Sequence, residues 1–202
     1  MSFHVDYWDR LGWKDPFSSP AATRRQQHYA DLLRLGTVYT PQIVVDGKWQ
    51  AVGSSRAEVE HILDAAQRER EQVPLVLAVD DGRAQIRLGP GADAGSAAVE
   101  LIGFDRRQIS PVARGENAGR TLVHADVVRS IEEVARFDGR ADVIEAPLPP
   151  QCDRIAAIVQ AGDGRILAVA VRDADAPWAP PPALPLARGQ PNTSDTRLRI
   201  QF

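Results

Sequence analysis

A single cysteine, Cys152, stands among the 202 residues. One thiol cannot close an internal disulfide, form a Cys-x-x-Cys redox pair or supply a thiolate zinc cage. Its setting at the entry to the apolar "RIAAIVQ" run predicts a small buried hydrophobe rather than a reactive thiol. Long apolar runs are also missing. None approaches the roughly 20 residues needed to cross a bilayer, so no membrane span is expected. No basic segment followed by an apolar core precedes Phe3, so no signal peptide is read. If the start site is real, a cytoplasmic location is expected. Charge of one sign is not in excess either. Lys and Arg number 24 against 27 Asp and Glu, for a formal net charge of −3. The arginines are scattered among acids, as in "RDADAP" and "RSIEEVARFD", which excludes the basic footprint of a nucleic-acid binder.

What remains is ample for a core. Hydrophobic residues make up 44% of the chain, enough for one good core or two small ones. Residues 1–72 read as α/β. "FHVDYW" predicts a short strand, and "SPAATRRQQHYADLLRLG" a helix. Ser18 or Ser19 would cap that helix, Pro20 would sit in its first turn and Gly36 would stop it. Tyr29, Leu32 and Leu33 supply its apolar face. In "TPQIVVDGKWQAVG" the pair Asp46-Gly47 lies between two β-rich runs, the strongest short-range hairpin signal. "SSRAEVEHILDAAQRERE" predicts a second helix. Ser54 or Ser55 would be its cap and Glu58 a capping-box acid, over a buried stripe of Val59, Ile62, Leu63 and Ala66.

Pro74 marks a boundary. From Leu75 to Arg172 the apolar period becomes two, with turn signals at Asp81-Gly82 and at "GDG". Roughly seven strands are expected there, as an antiparallel sandwich-like domain over 75–172. Residues 173–202 are so rich in proline that an extended or disordered tail is expected.

Few residues point to chemistry. His4 and Asp6 share a strand face, with Asp9 and Asp15 nearby. A histidine oriented by an aspartate is one reading, and a His/carboxylate metal site another. Tyr7, Trp8 and Trp13 can line a groove or pack over a sheet end. His28 and His61, on helices among charged residues, read as solvated, and His124 falls on a strand. "RGENAGRTL" lacks phosphate-loop spacing and a Walker lysine, so no nucleotide cofactor is expected, and no other cofactor or metal is assigned. Gly115 and Gly119 would permit a tight loop, with Glu116 or Asn117 bonding the local backbone. Arg114, Gly115, Glu116, Asn117 and Arg120 are kept as a candidate ligand-binding or interdomain loop. In "VYTPQIVV" a proline immediately precedes an apolar strand. From spacing alone Pro41 simply begins that strand.

The motifs "HVDYWD-LGW-D", "YTPQ-VV-G" and "GENAGRTL" are long and specific. On them the chain, from Phe3 to Val171, resembles a bacterial family known as domain of unknown function 1223 (DUF1223). The resemblance implies a periplasmic or secreted protein whose first half is a thioredoxin-like domain. It also implies a thiol–disulfide oxidoreductase with an upstream strand and a Cys-x-x-Cys-Pro turn. On that pattern the chain is truncated before the second strand and is redox-inactive as written. Pro41 would be the fold's cis proline. Thr40 would offer a free backbone edge to an extended polypeptide or thiol substrate, with Trp8 and Trp13 close by. The family's first strand would separate "FHVDYW" from "QIVVD", so an unpaired sheet prone to self-association is expected. The alternative is a non-catalytic binding module that uses the β-domain and the "RGENAGRTL" loop.

Overall fold

Two Asp-Gly turns set the local frame. The computed structural model describes residues 1–68, 73–91, 96–115, 117–177 and 199–202. Strands β1 (Gln42–Val45) and β2 (Trp49–Val52) pair antiparallel around Asp46-Gly47, both at positive φ. Strands β3 (Leu75–Asp80) and β4 (Arg83–Leu88) do the same around Asp81-Gly82. Helix α1 (Pro20–Leu32) starts where Ser19 Oγ accepts the Ala22 N–H at 3.1 Å. It does not run on to Gly36. Arg34 takes φ of 54°, and the Leu35 N–H returns to the Ala30 carbonyl. A non-glycine residue in the left-handed region therefore ends the helix two residues early. Its buried face is also not the expected one, being Ala22, Gln26, Tyr29 and Ala30, with Leu32 and Leu33 half-buried. Helix α2 (Arg56–Arg68) buries Ile62, Leu63 and Ala66 against Val45 and Ala51.

The remaining strands are β5 (Ala97–Pro111), β6 (Thr121–Phe137), β7 (Asp142–Pro147), β8 (Arg154–Gln160), β9 (Ile166–Asp173) and β10 (Arg199–Gln201). Together the strands form three antiparallel sheets of mixed α/β surroundings, in the orders β10-β1-β2, β3-β4-β7 and β6-β5-β8-β9. The centre of the four-stranded sheet, β8 and the facing part of β5, is buried on both sides, which explains why β8 reads as a nearly continuous apolar run. Val99, Leu101, Ile155, Ala157 and Val159 join Leu75, Leu77, Ile86 and Leu88 in one cluster. The alternate residues Ile102, Phe104, Ala156 and Ile158 join Phe3, Ala22, Tyr29 and Ile200 in a second.

Three expectations are corrected here. "FHVDYW" is not a regular strand. Only Ser2 is bridged, to Val127 and to Gln201, and the chain turns at Asp6. The cause is local: the Asp6 N–H donates to Thr23 Oγ1, which donates back to Asp6 Oδ1, so α1 takes the place of a ladder partner. Second, the 173–202 stretch is not wholly an extended tail. Asp173 ends β9 and Arg199–Gln201 is a strand, while residues 178–198 lie outside the described residues. Third, the sheet position expected to be unpaired is filled. β10 pairs antiparallel with β1 and lies parallel to Met1–Phe3 on its other side.

Several contacts lock the halves together. The Ile166 N–H donates to Asp46 O, and Gly47 lies so near the β8–β9 turn that a Cβ there would stand 1.8 Å from Gly164 O. The Arg25 guanidinium on α1 grips both Glu100 oxygens at 2.9 and 2.8 Å and also reaches Gln160 Oε1.

Candidate functional site

Two aspartates shape the segment after Val5. Asp9 accepts the Asp15 N–H through Oδ1 and the Ser18 hydroxyl through Oδ2, at 3.1 and 2.7 Å. A single 3-10 turn, Asp9–Leu11, ends at Gly12 with φ of 103°. Held this way, the loop displays Trp8 and Leu11 to solvent, 48% and 62% exposed. Trp8 Nε1 donates to Thr40 Oγ1 at 3.0 Å, which ties the loop to the Thr40–Pro41 peptide. That peptide is cis. Beneath it, Tyr7 OH donates to Gln26 Oε1, and Gln26 Nε2 donates to Tyr39 O and Gln42 Oε1. This buried polar thread fixes Thr40–Pro41 against α1.

The opposite wall comes from the far half. β5 and β6 form a long hairpin with register shifts at Val99/Glu100 and Gly103/Phe104. Such bulges bend and twist a ribbon. Its tip is the "RGENAGRTL" loop, closed by Val112 N–H to Arg120 O and Gly119 N–H to Val112 O, both 2.8 Å. Gly115 and Gly119 take φ of 86° and 81°, the tight-loop role expected of them. Local backbone bonding there is made by the Asn117 carbonyl, which accepts the Arg120 N–H.

Between the two walls lies a cavity of about 730 Å³. Its lining takes Trp8, Trp13, Thr40 and Pro41 together with Arg114, Gly115 and Asn117, and Gly115 stands beside Leu11 and Trp13. The two groups singled out from the sequence thus line one space, although 73 positions separate Pro41 from Arg114 in the numbering. Arg120 is not on the cavity lining; it closes the loop through its backbone. Glu116 lies outside the described residues.

The floor holds an acid–base cluster. Asp15 Oδ2 lies 2.6 Å from His4 Nδ1, His4 and His124 rings stand 5.0 Å apart in edge contact, and His124 Nε2 lies 2.8 Å from Ser110 Oγ. Phe17 packs edge-on to both imidazoles. Burial pushes the Asp15 carboxyl up, but the His4 hydrogen bond and the Phe17 N–H outweigh it, and the carboxyl sits below its ordinary range. Burial, reinforced by the neighbouring His4, holds His124 below the ordinary histidine value, against a smaller opposing pull from Asp15. Asp15 therefore anchors the Nδ1 side of His4 and fixes the orientation of its ring. Asp6 and Asp9 are committed elsewhere, and among the described residues no group of three or more His, Cys, Asp or Glu side chains is arranged to hold a metal.

Cys152 stands off the cavity. Its thiol donates to Pro149 O, and burial together with the Asp105 carboxylate pushes its pKa up. His28 and His61 are exposed. Sequence reasoning placed His124 on a strand but missed its partnership with His4 and Ser110, and it missed the lining residues Leu122, Gln201 and Phe202. Only the three-dimensional return of β6 and β10 to the N-terminal loop brings them there.

Known proteins place these features in a family context. No curated protein matches the chain. A crystal structure of an uncharacterised Agrobacterium tumefaciens protein from structural genomics is similar at TM-score 0.76 and 25% identity, over 89% of this chain and 82% of that one. A solved endonuclease/exonuclease/phosphatase from Beutenbergia cavernae aligns at 24% identity over 48% of this chain and 22% of that one. Its TM-score of 0.21 carries no structural weight. The sequence profile of the family described as "Protein of unknown function (DUF1223)" matches residues 1–160, and the chain belongs to that family.

Proposed function

We propose that the protein is a binding protein that holds an extended polypeptide segment in the cavity between its α/β half and the β5–β6 tip. The single observation that supports this reading is the meeting of Trp8, Trp13, Thr40 and Pro41 with Arg114, Gly115 and Asn117 around one space. Its dimensions suit several residues of peptide. The indoles offer large apolar faces, and Thr40 contributes N–H and C=O groups that make no backbone hydrogen bond among the described residues. Arg114 and Asn117 supply polar contacts on the facing loop. The first half is read as a thioredoxin-like unit from the order α1, Thr-Pro, β1, β2, α2. Thiol–disulfide exchange, the activity the resemblance implies, is not assigned to these 202 residues, because their one thiol lies away from the cavity.

Tryptophan fluorescence tests the proposal. Titration with unstructured polypeptides, among them reduced and alkylated insulin chains, is expected to quench or shift the emission of Trp8 and Trp13 saturably. Trp8→Ala is expected to weaken binding about tenfold, the scale of an interfacial aromatic anchor. Trp49→Phe, on β2 and outside the lining, is expected to leave it unchanged. Equal affinity for the wild type and Trp8→Ala would overturn the reading.

A further inference from the structure

β10 contributes only three strand residues, yet it is paired on both edges. On one side the Phe3 N–H donates to Gln201 O at 2.6 Å and the Gln201 N–H to Met1 O at 2.9 Å. On the other, Val45, Val44 and Ile43 register with Arg199, Ile200 and Gln201, and Gln42 and Phe202 exchange reciprocal backbone bonds at 3.2 and 3.0 Å. The side chains alternate. Ile200 and Phe202 are 1% and 7% exposed, while Arg199 and Gln201 face outward. Phe202 packs on the Phe3 ring at 5.6 Å and on Tyr29 at 6.2 Å.

Taken away from that strand, Met1–Phe3 and β1 are two backbone edges about 10 Å apart, twice the usual interstrand spacing. They are too distant to bond each other, and their free N–H and C=O groups flank an apolar floor of Phe3, Tyr29 and Val44. Such a slot accepts one strand and satisfies it on both edges, whereas ordinary strand addition to a sheet edge satisfies one. Neither backbone partner of the occupant is adjacent to it in sequence: it pairs with β1 on one side and Met1–Phe3 on the other. The same segment of another molecule is chemically identical and equally complementary, the condition under which swapping costs little.

We propose that this slot is a strand-receiving site exchanged between copies. Arg199–Phe202 of one molecule inserts, in the register observed here, between Met1–Phe3 and Gln42–Val45 of a second, giving a strand-swapped dimer. The slot adjoins the peptide cavity, which Ser2, Phe3, Gln201 and Phe202 also line, but the inference rests on the backbone pairing of Arg199–Phe202 and stands whether or not that cavity binds polypeptide.

The test uses the full chain. Two preparations carrying different affinity tags are unfolded in urea, mixed and refolded together at high concentration. The expected result is mixed dimers, captured through one tag and detected through the other. A synthetic peptide of residues 196–202 is expected to dissolve them and to bind once per chain, while the same peptide bearing Ile200→Asp does neither. Monomers alone after joint refolding would overturn the proposal. So would dimers that excess wild-type peptide leaves intact, because their interface would lie elsewhere.

Discussion

The two halves of the molecule hold their shape by different means. From β3 to β9 every strand pairs antiparallel with another strand of the same region, around one cluster whose members come from that stretch. The first 68 residues are not self-sufficient in this way. β1 is completed by β10 from the far end of the chain, Ser2 bridges to Val127, Arg25 is paired with Glu100, and Gly47 nests against Gly164. One half is built from local order, the other from borrowed partners. The cavity lies where the borrowing occurs, so its geometry depends on contacts between residues far apart in sequence.

Breaking a borrowed contact should hurt the first half selectively. The largest effect is expected from Arg25→Ala. Arg25 and Glu100 side chains are only 8% and 15% exposed, and removing the guanidinium leaves a buried carboxylate alone at a cost of about 3–5 kcal/mol. Urea titration should report that loss, and hydrogen exchange should rise first in α1 and β1. Arg25→Met combined with Glu100→Leu should recover most of it.

A matched pair of glycines sharpens the contrast. Gly47 and Gly82 occupy similar turns, with φ of 69° and 72°. A Cβ on Gly82 meets nothing within 4 Å, whereas one on Gly47 collides with the Gly164 backbone. Gly82→Ala should cost about 1 kcal/mol, the left-handed penalty alone. Gly47→Ala should cost more than about 2 kcal/mol, because the two halves must also move apart. Urea midpoints of the two variants give the comparison directly.

Acid should loosen the shared floor in two stages. His124 titrates below its ordinary 6.5 in the fold. As pH drops through that value the unfolded chain takes up the proton first, so stability falls as pH goes below 6.5 toward the lower folded value. Asp15 is also depressed, so its contribution is complete above the ordinary carboxylate range and is lost as pH falls through the folded value. His124→Gln should flatten the first stage and leave the second, read from urea midpoints across pH. The smallest effect belongs to an exposed pair on α2. Arg56→Ala removes the i,i+4 bridge to Glu60 and should change stability by no more than about 0.5 kcal/mol.

The same division governs what could be read in the sequence. The Asp46-Gly47 and Asp81-Gly82 turns, the Ser19 cap and the seven strands between Leu75 and Asp173 are written in nearest-neighbour chemistry, and each was legible. Gly36 looked like the stop for α1, yet Arg34 turns first, since helix ends yield readily to tertiary packing. "FHVDYW" has strand composition, but Thr23 and Gln26 claim Asp6 and Tyr7. Arg199–Gln201 follows a proline-rich stretch that carries no β pattern, and its pairing exists only because β1 and Met1–Phe3 leave room for it. At the cavity, the two motif groups were visible as motifs. Their meeting was not, because the bulged β5–β6 ribbon that brings Gly115 to Trp13 is a long-range consequence of two register shifts.

The account rests on the cavity being a polypeptide-binding site made jointly by the two halves. Backbone and indole N–H chemical shifts, followed during titration with a binding peptide, address this most directly. Binding should move Trp8, Trp13 and Thr40 together with Gly115 and Asn117, with a common midpoint. Shifts confined to one of these groups, or scattered over β3, β4 and β7 while the cavity stays silent, would contradict it.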